Sequence, residues 1–118
     1  MPLRIGQVTF DCTGDASTLA RFWSDLLELP VDQEPQASEF FASVGRGAGA
    51  QPALFFIRVP DKTPGKNVVH LDLVAPDRAE QVQRAIGLGA EPVADFDEYG
   101  ATWTTLRDPE GNLFDIGG

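Results

Sequence analysis

The feature that most limits how this chain can fold is a repeat of pattern. Arg4 to Cys12 alternates, with Ile5, Gln7, Thr9 and Asp11 on one face of a strand and Val8, Phe10 and Cys12 on the other. Asp15 then stands where an N-cap belongs. Leu19, Phe22, Trp23 and Leu26 follow at i, i+3, i+4 and i+7, the stripe of an amphipathic helix that Pro30 ends. Strands are expected over about Glu39 to Val44 and Pro52 to Val59, joined by Gly45-Arg46-Gly47-Ala48-Gly49, with a further short strand within Pro30 to Ser38. After the turn-rich stretch Asp61 to Lys66 the order restarts. Asn67 to Val74 puts Val68, His70, Asp72 and Val74 on one face and Val69, Leu71 and Leu73 on the other. Pro76-Asp77 opens a helix carrying Ala79, Val82 and Ile86, with Gly87 and Gly89 as C-cap positions. Strands are expected at about Pro92 to Phe96, Ala101 to Leu106 and Leu113 to Ile116, the last two joined by the turn Asp108-Pro109-Glu110-Gly111-Asn112. Gln7 and His70 are 63 residues apart, and Asp15 and Asp77, both expected as N-caps, are 62 apart. Residue identities scarcely match between the halves. What repeats is strand face, cap and helix stripe, all in register.

Each half of about 60 residues is small for an independent core, so the 118 residues are expected to form one domain. Nine Lys and Arg against eighteen Asp and Glu give a net charge of −9, which argues against a nucleic-acid backbone or an anionic membrane as partner. One cysteine, Cys12, excludes an internal disulfide and a cysteine-based structural zinc site, and suits a reducing cytoplasm. Met1-Pro2-Leu3-Arg4 does not open a signal peptide, and no apolar run approaches the roughly 18 residues of a membrane span. The expectation is a soluble, cytoplasmic protein with a small-molecule partner.

Three segments carry a family resemblance. Asp108-Pro-Glu-Gly-Asn-Leu-Phe-Asp115 is similar to the terminal hairpin of the vicinal oxygen chelate superfamily, which includes glyoxalase I, bleomycin-resistance proteins and extradiol dioxygenases. Phe10-Asp-Cys-Thr-Gly-Asp, followed by Leu19-Ala-Arg-Phe-Trp23, resembles actinobacterial glyoxalase-like members, and Val69-His-Leu-Asp-Leu73 resembles the strand that opens the second module. The resemblance covers nearly the whole chain. It implies an α+β fold of two βαβββ modules forming an incomplete barrel around a cleft: module one 1–60, linker 61–66 and module two 67–118. It also implies a homodimer.

In that superfamily four positions, two per module, hold a divalent metal. Carried over, they fall on Gln7, Phe55, His70 and Asp115, so three candidate ligands remain and one place is apolar. An imidazole, a carboxylate and an amide oxygen can hold Zn, Ni, Fe or Mn with positions left open for substrate, although an amide is a weak ligand and Asp is one methylene shorter than the usual Glu. Thr9, Asp11, Phe55, Asp72 and Trp103 are the candidate cleft residues. Phe22 and Trp23 are expected in the core, and Cys12 as inert packing. No Ser/His/Asp nucleophile pattern is present. Two functions stay open. One is a small-molecule-binding protein of the drug- or metabolite-sequestering kind with an altered metal site. The other is a divalent-metal-dependent glyoxalase-like lyase, isomerase or dioxygenase.

Overall fold

The computed structural model describes residues 4–62 and 69–118. Most of the expected linker, and the Asn67-Val68 start of the second leading strand, lie outside the described residues. The chain forms two compact units, Met1–Lys62 and Thr63–Gly118.

In the first unit, β1 (Gln7–Cys12) leads into α1 (Ala16–Leu27), then β2 (Phe41–Val44) and β3 (Ala53–Arg58). Asp15 caps α1 as its sequence position implies: its carboxylate accepts from the backbone N–H groups of Ser17 and Thr18. That bonding, led by the Ser17 hydroxyl, holds the Asp15 carboxyl below its ordinary range. The helix ends before Pro30, at Glu28 in the left-handed conformation. The sheet order is β1-β3-β2, with β1 parallel and β2 antiparallel to β3. Its buried face meets the α1 stripe. Leu19, Ala20, Phe22, Trp23 and Leu26 are buried there with Cys12, Ala42, Leu54 and Phe56. Phe10 joins the layers, with ring centroids 5.4 Å from Trp23 and 5.3 Å from Phe56. Aromatic pairs at these separations add specific stabilisation to area burial.

The extra strand expected in Pro30 to Ser38 is reduced to one bridge, Val31 to Val44. Asp32 N–H donates to the Ser43 carbonyl and Gly45 N–H to the Pro30 carbonyl. Pro30 and Pro35 bracket the segment and cannot donate to a ladder, which keeps it short.

The second unit runs β4 (Leu71–Val74), α2 (Arg78–Leu88), β5 (Glu91–Glu98), β6 (Ala101–Arg107) and β7 (Leu113–Gly117), in the sheet order β4-β7-β6-β5. As in the first unit, the leading strand lies parallel to the last strand of its own half. With the Val31 bridge counted as the missing outer strand, the two sheets share one topology. The fold class is α+β, as expected.

Some local expectations are corrected. Asp77 stands at the N-cap of α2 but makes no capping bond; its carboxylate accepts from the Gln81 side chain instead. Ala79 is exposed, and the buried positions of α2 are Val82 and Ala85. The strand expected from Asn67 is described only from Leu71, so His70 immediately precedes β4. Phe40 lies outside β2, 61% exposed, with the Arg58 guanidinium 5.7 Å from its ring centre. β5 and β6 meet in a two-residue turn, Tyr99-Gly100, both at positive φ (55° and 76°), the geometry a tight hairpin requires.

Candidate functional site

The first sheet turns its other face away from α1. Strand alternation and pairing put Gln7, Thr9 and Asp11 of β1 on that face with Ala53, Phe55 and Ile57 of β3, and Phe41 of β2 beside them. Phe41 and Phe55 stack edge to face at 5.4 Å. Gln7, Thr9 and Asp11 are exposed and Phe55 is half-buried. The expected face assignment is observed, while Gln7 and Phe55 have no charged neighbour between them on that face: Thr9 and Ala53 are the residues in register with them.

In the second sheet the face turned away from α2 carries the cluster of His and Asp side chains. His70, Asp72 and Val74 alternate onto that face. Register places Asp72 directly across from Asp115 on β7, and Thr105 and Trp103 of β6 across from Asp115 and Gly117. His70 Nε2 lies 3.4 Å from Asp72 Oδ2 and 3.4 Å from Asp115 Oδ2. The Thr105 hydroxyl donates to Asp115 Oδ1 at 2.6 Å, which fixes that carboxylate with its second oxygen toward the imidazole. The three side chains differ in exposure: 14% for Asp115, 44% for His70 and 68% for Asp72.

They line a hollow of about 700 Å³ together with Leu73, Val74, Trp103 and Gly117. The Trp103 indole stacks on Phe96 with centroids 5.2 Å apart and planes 17° from parallel. An apolar, aromatic wall with a few convergent polar groups is the ordinary form of a small-molecule site. His70 and Asp115, expected as metal ligands, and Asp72 and Trp103, expected as cleft residues, all line this one hollow. The sequence reading missed Thr105, whose only sequence signal is a hydroxyl two residues from Trp103 on the same strand face.

The turn that leads into β7 is itself fixed. Asp108 is buried, and its carboxylate accepts from the Glu110 and Asn112 backbone N–H groups and the Asn112 side-chain amide. This bonding holds the start of the strand that delivers Asp115.

The donor set fits a divalent cation. Two donors about 2.1 Å from one ion and about 109° apart are separated by about 3.4 Å. Both His70 contacts have that spacing, and both are longer than an N–H···O hydrogen bond, which rarely exceeds about 3.2 Å. One oxygen or nitrogen from each of His70, Asp72 and Asp115 lies within 4.8 Å of the others. The mixture of one imidazole and two carboxylates suits borderline and harder first-row cations.

A family model described as a glyoxalase-like domain matches residues 7–117. No curated protein matches the sequence significantly. Among solved structures, the chain is similar to a glyoxalase/bleomycin resistance protein/dioxygenase family enzyme from Burkholderia phytofirmans, at 18% identity and a TM-score of 0.80 over 98% of both chains. It is also similar to a lactoylglutathione lyase from Agrobacterium tumefaciens, at 18% identity and a TM-score of 0.67 over 98% of this chain and 93% of that one. A fosfomycin resistance protein from Mesorhizobium loti matches at 12% identity and a TM-score of 0.72 over 99% and 92%. At these identities the likeness is one of fold.

Proposed function

From the premise that this chain belongs to the glyoxalase-like domain family of the vicinal oxygen chelate superfamily, we propose that it binds a small organic molecule with two adjacent oxygens in the hollow of the second unit, through a divalent cation at His70 and Asp115. The observation that supports this most is the convergence of His70 Nε2 with two carboxylate oxygens, at cation-fitting distances, beside the Trp103 wall. A bound cation would supply Lewis-acid polarisation of the ligand's oxygens, the chemistry of a lyase, isomerase or dioxygenase of this superfamily. The chain's own residues have defined tasks. His70 and Asp115 hold position, Thr105 fixes Asp115, and Trp103, backed by Phe96, presents a flat apolar wall that orients the ligand and excludes water. On the first unit, Thr9, Asp11 and Phe55 keep the cleft role that the resemblance implies, supported by their place on the face turned away from α1. The proposal takes residues 1–118 as one domain, and extends to a cytoplasmic homodimer. No helix among the described residues is long and apolar enough to cross a membrane.

The test is elemental analysis of protein purified without chelator, beside His70→Ala, followed by thermal-shift screening with an α-hydroxy acid, an α-hydroxyketone and a catechol. The expected result is about one equivalent of a first-row metal in the wild type, little in the variant, and metal-dependent ligand stabilisation. Equal, near-zero metal in both proteins, even after incubation with Mn²⁺ or Zn²⁺, overturns the cation reading.

A second reading has its own observation. Phe55 at a position expected to supply a ligand exchanges a donor for apolar surface, as suits a metal-free binding protein of the sequestering kind. On that reading an aromatic ligand quenches tryptophan fluorescence equally with and without chelator.

A further inference from the structure

We infer that the cation is held by the second unit alone, with Asp72 as the third protein donor and Gln7 taking no part. The inference rests on the cation reading above and departs from the ligand set that the resemblance implies, in which donors come from both modules.

Four observations carry it. First, Asp72 and Asp115 are direct cross-strand partners on adjacent parallel strands. Like charges placed opposite each other on one sheet face destabilise it. Two carboxylates in register, with an imidazole against both, form a face that a positive occupant relieves. Second, Asp72 Oδ2 is as near His70 Nε2 as Asp115 Oδ2 is, 3.4 Å in each case, and one donor atom from each of the three side chains lies within 4.8 Å of the others. Third, a carboxylate is a far stronger ligand than the amide oxygen of Gln7, and the first-unit face near Gln7 adds only Thr9 and the apolar Ala53 and Phe55. Fourth, among the described residues this is the group of His, Cys, Asp and Glu side chains whose donors converge.

The spacing that produces this is simple. Residues i and i+2 on an extended segment share a face, so His70 and Asp72 point the same way, and the parallel pairing of β4 with β7 brings Asp115 alongside. Phe55 leaves the first unit without a donor at its second expected ligand place, and Asp72 makes good that loss from the other half of the chain. The donors also differ in stiffness: Asp115 is held by Thr105 and nearly covered, whereas Asp72 is mostly exposed. Asp115 and His70 therefore set the position, and Asp72 closes the set.

The experiment is isothermal titration of Mn²⁺ into chelator-stripped full-length protein: wild type, Asp72→Asn, Gln7→Ala and His70→Ala, with the Mn²⁺ EPR spectrum as a second readout. The wild type is expected to take up one equivalent. Asp72→Asn is expected to weaken affinity at least tenfold and change the spectrum, and Gln7→Ala to stay within twofold with the spectrum unchanged. Asp72 is largely exposed, so the asparagine variant should fold, and its thermal unfolding in the absence of metal checks this. If wild-type protein binds no Mn²⁺, the cation reading itself fails and this inference with it. If wild type binds and His70→Ala does not, but Asp72→Asn binds normally, or Gln7→Ala weakens binding as much as Asp72→Asn, the cation reading stands and the one-unit ligand set is overturned.

Discussion

The two units share a topology and use it differently. In the first, the sheet's α1-facing side is filled by large rings: Phe10, Phe22, Trp23 and Phe56 meet edge to face or tilted, and α1 buries six positions. In the second, α2 buries only Val82 and Ala85, and its first turn is tied down by polar contacts. There the Arg78 guanidinium donates to the Thr104 hydroxyl, which donates in turn to Asp95. The opposite faces differ in the reverse sense. The first unit's carries Gln7, Thr9 and a lone carboxylate, Asp11, beside Phe41 and Phe55, while the second unit's gathers His70, Asp72 and Asp115 beside Trp103. One module concentrates its sequence on a core, and its repeat gathers an imidazole and two carboxylates on the opposite face.

The sharpest way to break this contrast is to remove one side chain from each helix–sheet layer. Trp23 is fully buried between two other rings, so Trp23→Ala is expected to cost about 3–5 kcal/mol of unfolding free energy. Val82→Ala removes two carbons from a position 8% exposed and is expected to cost about 1–2 kcal/mol. Urea denaturation followed by circular dichroism measures both. Equal losses would mean that α2 carries as much of the core as α1, and the contrast would fall.

A second contrast concerns loops. The first unit has a buried carboxylate, Asp32, that accepts from the Ser43 hydroxyl at 2.6 Å and from the Arg46 and Gly47 backbone N–H groups, and so fixes the glycine-rich loop between β2 and β3. Burial alone would push this carboxyl up. The Ser43 hydroxyl and the Gly47 and Arg46 amides outweigh it and hold the value below the ordinary range. A group with a depressed folded pKa adds stability above its unfolded pKa and loses it as the pH falls through the folded value. Asp32 therefore stabilises fully at neutral pH, and its contribution fades from about pH 4 downward. Asp32→Asn, which loses the charge-assisted bonds, is expected to lower stability by about 1–3 kcal/mol at pH 7. Denaturation midpoints at pH 7 and pH 3 check this, the gap between wild type and variant narrowing at the lower pH. A constant gap would assign the effect to shape rather than charge.

How far the sequence reached follows from which forces are local. Asp15 as a cap, the α1 stripe and the two faces of β1 depend on neighbours within a few residues, and all are observed. Asp77 has the same sequence signal as Asp15, yet the Gln81 amide one turn on holds its carboxylate, and no capping bond forms. At the site, the alternation that joins His70 to Asp72 was readable. That Asp72 meets Asp115 was not, because the two are 43 residues apart and only the β4–β7 register pairs them. Thr105 escaped notice for the same reason: its partner is set by the β6–β7 pairing, and a threonine on a strand otherwise signals only β propensity.

Thr105 provides the finest test of whether the second unit's face is a site rather than a solvated patch of charge. Thr105→Val keeps the shape of the side chain and removes the hydroxyl that donates to Asp115 Oδ1. On stability the expected loss is about 1 kcal/mol, the worth of one hydrogen bond to a partly covered carboxylate. On function the effect should exceed that. Partners that orient a ligand typically change metal affinity by about 10–100-fold, so Mn²⁺ affinity should fall at least tenfold while Trp103 and its stacking on Phe96 stay in place. Titration calorimetry beside thermal unfolding separates the two effects. A drop in cation affinity larger than the stability loss explains marks Asp115 as held in position for an occupant. Unchanged affinity with the same small stability loss would make the Thr105–Asp115 bond an ordinary strand-to-strand contact, and the two faces of the molecule would then differ in charge but not in purpose.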